Sequence, residues 1–334
     1  MSIQLLYGEE KYLLETKLKK MKKEFGELIK GINFILIDES NVSEIISDIE
    51  TPAFGYEKKL IIARDTGLFK KEKKTTKAKD TDTEPKKQNT FVDKLAKYII
   101  DNQNLFSNND VTLIFVEEEP EKNALYKAIE KIGEVEEFES LKLPQLVDNI
   151  IKICSAYKVK IDKDTAKYFI ECCGTNMQDL INEIRKLIEY AGTDGIITKE
   201  AIDKLSIKQI ESVIFDLTDN LGKRDIEKSL EVLNNLLYAK EPIQKILITL
   251  YNHFKKLYIV KIAERSGKDL ATAMNLKPNQ MFLTTKYKMQ SRYFKEQELR
   301  MILQELTDLD ANYKMGTIDL NIGLEAILCR YCSK

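Results

Sequence analysis

The sequence predicts an α/β domain built on a parallel sheet, followed by an all-helical block. Three observations carry this. Short apolar runs alternate with stretches of helical period up to about residue 141, the pattern of a parallel sheet covered on both faces. After Leu141-Lys142-Leu143-Pro144 the strands stop and only helical periodicity continues. Gly174, Gly192, Gly222 and Gly267 then punctuate that periodicity as helix ends. A chain of 334 residues holds two or three domains of ordinary size. We place them at 1–141 (α/β), 142–208 (a small helical domain) and 209–334 (a larger helical bundle).

Ile3 to Tyr7 reads as a short buried strand that Gly8 breaks. Leu14, Leu18, Met21, Phe25 and Leu28 recur at helical spacing, so 10–30 is an amphipathic helix. Asn33 to Ile37 is a second strand, and Asn41 with Glu44 fits a capping box opening a helix to about Glu50. Thr51-Pro52-Ala53-Phe54-Gly55 is a turn, and Leu60 to Ala63 a third strand. Residues 70–90 are rich in lysine and poor in apolar side chains, which predicts a mobile surface loop. Its excess of lysine fits either a solvating insertion, which the composition favours, or a nucleic-acid contact. Phe91 to Ile100 is a helix, Val111 to Val116 an apolar strand, 121–132 a helix and Val135 to Phe138 a last strand. Helices follow at 145–157, 163–173, 176–191 and 198–205, then at about 210–221, 224–239, 242–266, 269–275, 278–290, 295–314 and 318–332.

Lys plus Arg is 53 and Asp plus Glu 54, a formal charge of −1. That excludes a strongly basic nucleic-acid coat but leaves room for a local basic face. Cys329 and Cys332 form a lone CxxC, and Cys154, Cys172 and Cys173 complete no four-ligand set, so structural thiols are favoured over metal. The single histidine, His253, lies in an apolar helical run, which supports no Ser–His–Asp set. The first residues lack the basic start and long apolar core of a signal peptide, and no apolar run is long enough to span a bilayer. The expectation is a soluble, cytoplasmic protein with reduced cysteines.

A nucleotide-binding α/β domain holds phosphate at the turn between its first strand and first helix. A phosphate loop needs several glycines, a Lys for the charge and a Ser or Thr for Mg²⁺. Here that turn reads Tyr7-Gly8-Glu9-Glu10-Lys11-Tyr12, with one glycine and no Gly-Lys-Ser/Thr. Glu9 and Glu10 would repel a triphosphate, yet they suit the helix dipole without any ligand. Glu117-Glu118-Glu119 ends an apolar strand, where ATPases keep a metal-holding acid. Without a phosphate loop it reads as a solvated strand end. No catalytic, cofactor-binding or metal-binding residue is assigned.

Three segments then carry a family resemblance: Leu6-Tyr7-Gly8-Glu9-Glu10-Lys11-Tyr12-Leu13-Leu14-Glu15, the run from Thr51-Pro52-Ala53-Phe54-Gly55-Tyr56 to Leu60-Ile61-Ile62, and the helix after Gly174 with Leu180, Glu183, Lys186 and Leu187. Ile214-Phe215-Asp216-Leu217 and the helices after it also fit. In order and spacing the chain resembles the delta subunit of bacterial DNA polymerase III, part of the sliding-clamp loader, over nearly its whole length.

The resemblance implies an AAA+-like first domain that does not bind ATP, and a non-catalytic place in a DNA-directed DNA polymerase holoenzyme. It implies a C-terminal bundle joining a collar with gamma or tau and delta-prime subunits. The first domain would hold the beta sliding clamp and help open it, so that primed DNA can enter. By position, the clamp-binding wedge falls on Thr51, Pro52, Ala53 and Phe54, with Tyr56 beside it. This chain departs from the family at Ala53, where a larger apolar residue is usual. On pattern alone, Phe54 either projects into a partner or plugs its own domain's edge. Lys255, Lys261 and Arg265 share an arc of roughly 120° on one helix, with Lys256 off it. They fit a DNA phosphate contact inside the collar or, by the bare pattern more readily, a solvated face. The rival readings are an active ATPase, a stand-alone DNA-binding module and a scaffold for another assembly. A monomer is expected when the chain is alone.

Overall fold

A computed structural model describes residues 2–70, 85–107 and 110–332. They divide into two compact units, Met1–Ser140 and Leu141–Lys334. The first unit runs β1 (Ile3–Tyr7), α1 (Lys11–Phe25), β2 (Phe34–Ile37), α2 (Ile45–Glu50), β3 (Lys59–Arg64), α3 (Pro85–Asp101), α4 (Gln103–Ser107), β4 (Val111–Glu117), α5 (Ala124–Ile132) and β5 (Glu134–Glu137). The five strands form one sheet in the order β2-β3-β4-β1-β5, with every pairing parallel. This is an open parallel α/β sheet, and the turn after β1 carries no phosphate-loop sequence.

Strand side chains alternate between the two faces, and both faces are covered. Leu6, Leu60, Ile62, Ile114 and Val116 pack under Leu14 and Leu18 of α1. Ile3, Leu5, Ile61, Ala63, Leu113 and Phe115 pack against α2, α3 and α5 through Ile45, Ile49, Leu95, Ile99, Leu125 and Ile129. That two-sided burial explains the near-continuous apolar runs of β3 and β4.

Several local expectations change. Helix α1 ends at Phe25, because Gly26 takes a φ of 99° that breaks the repeat. The Asn41–Glu44 capping box does not form. The Asn41 amide instead accepts from Asp38 N at 2.8 Å and donates to Leu36 O at 3.2 Å, and α2 is entered through a 3-10 turn at Val42–Glu44. Helix α3 starts at Pro85, six residues before Phe91, with proline at a first-turn position that lacks a partner for its amide anyway. The rest of the expected lysine-rich loop, residues 71–84, lies outside the described residues.

The second unit is helical: α6 (Leu143–Ala156), α7 (Lys163–Cys173), α8 (Met177–Ala191), α9 (Lys199–Leu205), α10 (Ile210–Gly222), α11 (Ile226–Tyr238), α12 (Ile243–Ser266), α13 (Leu270–Ala273), α14 (Leu283–Ser291), α15 (Glu296–Lys314) and α16 (Leu320–Cys332). Asp162, Asn176, Thr198 and Asp225 cap α7, α8, α9 and α11 by accepting from backbone N–H groups. The largest core runs from Ile210 to Tyr331, centred on Leu250, Phe254 and Leu257 of α12. Inside it, His253 Nε2 lies 2.5 Å from Gln290 Oε1. The Gln290 amide donates to Phe215 O at 2.9 Å and Asp219 Oδ1 at 2.7 Å. That fixes the amide's orientation, so the histidine donates from Nε2.

Candidate partner-binding loop

The turn that would hold phosphate is closed from within its own domain. Phe138, just past β5, donates its N–H to Tyr7 O at 2.7 Å, and the Glu10 N–H donates to Phe138 O at 2.9 Å. Ser140 Oγ donates to Glu9 Oε2 at 2.8 Å. Gly8 has a φ of 131°, and a β-carbon there would lie 2.4 Å from Phe138 O. The glycine therefore serves a close backbone approach, and the N-cap amide of α1 is spent on a carbonyl. Glu10 is buried at the N-cap of α1, and burial raises its pKa.

At the C-terminal end of β4, Glu117 is not the solvated strand end its sequence suggests. It is largely buried and accepts from Thr66 N at 3.0 Å and Thr66 Oγ1 at 2.8 Å. Burial raises its pKa, and the two Thr66 bonds oppose the rise. The acid thus ties down the loop after β3. Glu118 pairs with Lys11 at 2.6 Å.

The wedge segment lies at the opposite end of the strands, where β3 begins. Tyr56 N donates to Ala53 O at 3.0 Å, closing a turn over Ala53-Phe54-Gly55-Tyr56. Gly55, third in that turn, has a φ of 78°, the conformation a type II turn demands and glycine supplies. Phe54, the second residue, is 84% exposed. It does not plug its own domain's edge. Pro52 is exposed, while Ala53 and Tyr56 are half-buried. Ile32, 40% exposed, lies at this same end of the sheet, because Leu60 N pairs with Asn33 O at 2.8 Å.

Sequence reasoning missed Lys59. In Glu57-Lys58-Lys59 it looks like a surface lysine, yet it is only 3% exposed. Its ammonium donates to Asp48 O at 2.7 Å and to Thr51 O. Burial lowers its pKa, opposed by the Asp48 carboxylate nearby. The only available signal was position, since a strand's first residue can reach back under the preceding helix.

The four basic residues of α12 do not act alike. Lys255 and Arg265 are exposed and Lys261 is half-buried. Arg265 pairs with Glu296 at 3.1 Å. Lys256 sits over the Tyr287 ring, 5.4 Å from its centroid, and burial lowers its pKa. Among the described residues no group of three or more His, Cys, Asp or Glu is placed to hold a metal ion. Cys154, Cys172 and Cys173 are buried, Cys329 is exposed, and Cys332 is half-buried. Among those residues no helix is long and apolar enough to cross a membrane.

Comparison with known proteins gives one answer. The family model for the DNA polymerase III delta subunit matches residues 5–131, and the model for that subunit's C-terminal domain matches 211–331. A probable DNA polymerase III subunit delta from Aquifex aeolicus is 27% identical over 320 residues, covering 93% of this chain and 85% of that protein. The DNA polymerase III subunit delta of Bacillus subtilis is 25% identical over 338 residues, covering 97% and 90%. The solved Bacillus subtilis DNA clamp loader delta protein aligns over 100% of this chain and 96% of its own, with a TM-score of 0.68 at 23% identity. The two family matches fall on the sheet domain that carries Phe54 and on the helical bundle, in the family's order, and the chain belongs to the DNA polymerase III delta subunit family.

Proposed function

We propose that this chain holds the beta sliding clamp through the loop around Phe54 and helps open the ring for loading onto primed DNA. The observation that carries this is Phe54: a large apolar side chain, 84% exposed, on a turn stiffened by Gly55 and the Tyr56–Ala53 bond. An aromatic anchor presented this way gains affinity by filling a partner pocket without first having to be ordered. Pro52 and Tyr56 flank it, and Ala53 contributes less than the larger family residue would.

The remaining helices fit a role within an assembly. We keep 142–208 as a small helical domain and 209–334 as the collar domain, meeting gamma or tau and delta-prime subunits. The Gln244 side chain donates to Tyr313 Oη at 2.9 Å, so the start of α12 lies beside the end of α15. Around that end of the bundle Tyr238, Ile248, Met315 and Ile322 are 59–91% exposed, apolar surface that suits a helical neighbour. Lys255, Lys261 and Arg265 are the proposed contacts with DNA phosphate. Lys256, held over Tyr287, is not needed among them. No step of this reading requires catalysis by the chain itself, and its place is the cytoplasmic replication machinery.

The test is a titration of the chain against its cognate beta clamp. Fully burying a Phe side chain is worth about 1.5–3 kcal/mol, and truncating an interface anchor costs about 2 kcal/mol or more. With most of the Phe54 ring free, Phe54→Ala should weaken binding by about 2–4 kcal/mol, or about thirty- to thousandfold in Kd. An unchanged Kd with an intact fold removes the wedge assignment.

A further inference from the structure

We infer that Lys59 is a positioning residue for the Phe54 contact: its buried ammonium closes the base of loop 51–58 and sets the direction of Phe54 before any partner arrives. The inference rests on the clamp-binding reading of that loop.

A helix end leaves carbonyl oxygens without partners, and a cation placed there is favourable. Helix α2 ends at Glu50, and the ammonium of Lys59 binds the carbonyls of Asp48, inside its last turn, and Thr51, just beyond it. The Lys59 backbone meanwhile belongs to the sheet, donating to Asp110 O at 2.8 Å. One residue therefore ends the loop through its main chain and holds the loop's start through its side chain. Thr51 adds a second fastening, with its N–H and Oγ1 both donating to Ser47 O, at 2.9 and 2.7 Å. The apex is fixed separately by Gly55 and the Tyr56–Ala53 bond.

Packing alone does not call for lysine here. A methionine would fill much the same stem volume without desolvating a charge. What only the ammonium supplies is the link between helix end and loop start. A loop held at base and apex loses less freedom on binding, and that saving appears as affinity.

The experiment is a double-mutant cycle in the full chain, with the cognate beta clamp as probe. Lys59→Met should weaken binding about tenfold beside an intact Phe54. In a Phe54→Ala background it should add little, because the lysine acts through the ring. Full affinity in Lys59→Met, or an equal loss in both backgrounds, would overturn the inference. Amide hydrogen exchange separates this outcome from failure of the clamp reading. Thr51 and Tyr56 amides should be slowed in the unmodified chain and released in Lys59→Met, with β3 and β4 unchanged. If Phe54→Ala leaves binding intact, the clamp reading fails, and exchange alone judges the lysine. Unhindered exchange at Thr51 and Tyr56 in the unmodified chain would sink it. Should Lys59→Met not fold, Lys59→Gln, with its shorter reach, carries the same expectations.

Discussion

Acidifying the medium should destabilise the helical bundle through His253 before carboxylate protonation dominates. Burial pushes this imidazole down to about 4 from an ordinary value of 6.5, the Gln290 bond opposing the fall and Lys256 adding to it. The folded chain therefore keeps His253 neutral where the unfolded chain protonates it. Between those two pKa values the unfolded state binds more protons, so stability rises with pH across that window. The contribution is whole above about pH 6.5 and is lost as pH falls toward 4. A shift of this size corresponds to about 3 kcal/mol in all, of which about 2 kcal/mol is gone by pH 5. Carboxylates raised by burial, such as Glu10, Glu117 and Asp216, act with the opposite sign, so the raw pH curve mixes both. Comparing the unmodified chain with His253→Gln isolates the imidazole, because the sequence contains one histidine. Urea unfolding at pH 7.5 and pH 5 should show the gap between the two proteins shrinking by about 2 kcal/mol. Proton NMR adds a direct check, since the lone imidazole should not titrate in the folded chain above about pH 5. A midpoint near 6.5, or a gap constant across pH, would refute the reasoning.

Two close backbone approaches give further predictions. Gly8→Ala places a β-carbon 2.4 Å from Phe138 O at a φ of 131°, so the closed turn must open, and thermal unfolding of the α/β domain should report a loss of about 2–4 kcal/mol. Gly323→Ala puts a methyl 2.1 Å from Leu309 Cδ1, where α16 crosses α15. A loss of about 1–3 kcal/mol by denaturant titration is expected there, and Leu309→Ala in the same chain should recover part of it.

Much of the α/β domain was legible because its signals are local. The apolar runs of β3 and β4 and the period of α1 each sit within a few residues, as do the breaks at Gly174 and Gly192 in the helical unit. The turn at Phe54 was legible for the same reason, since Pro52 and Gly55 bound it in sequence, but the pattern left open whether the ring points outward. What stayed hidden depends on distant partners. Glu117 reads as one of three solvated acids until Thr66, 51 residues away, donates to it twice. Lys59 reads as one of two surface lysines until the end of α2 folds over it. Asn41 shows a capping pattern, but competing bonds to Asp38 and Leu36 win its side chain.

The closed turn at Gly8 also bears on how such a subunit could be controlled. A ligand shifts a conformational balance only by the difference in its affinity for the two states. The amide of Glu10 is already given to Phe138, so this turn offers a passing nucleotide little to discriminate with. The loop at Phe54 lies beyond the other end of β3, a six-residue strand about 17 Å long. It would present the same surface whatever the local nucleotide concentration. On the proposed reading the domain would act as a fixed hook rather than a sensor, and any timing of its grip would be imposed from outside.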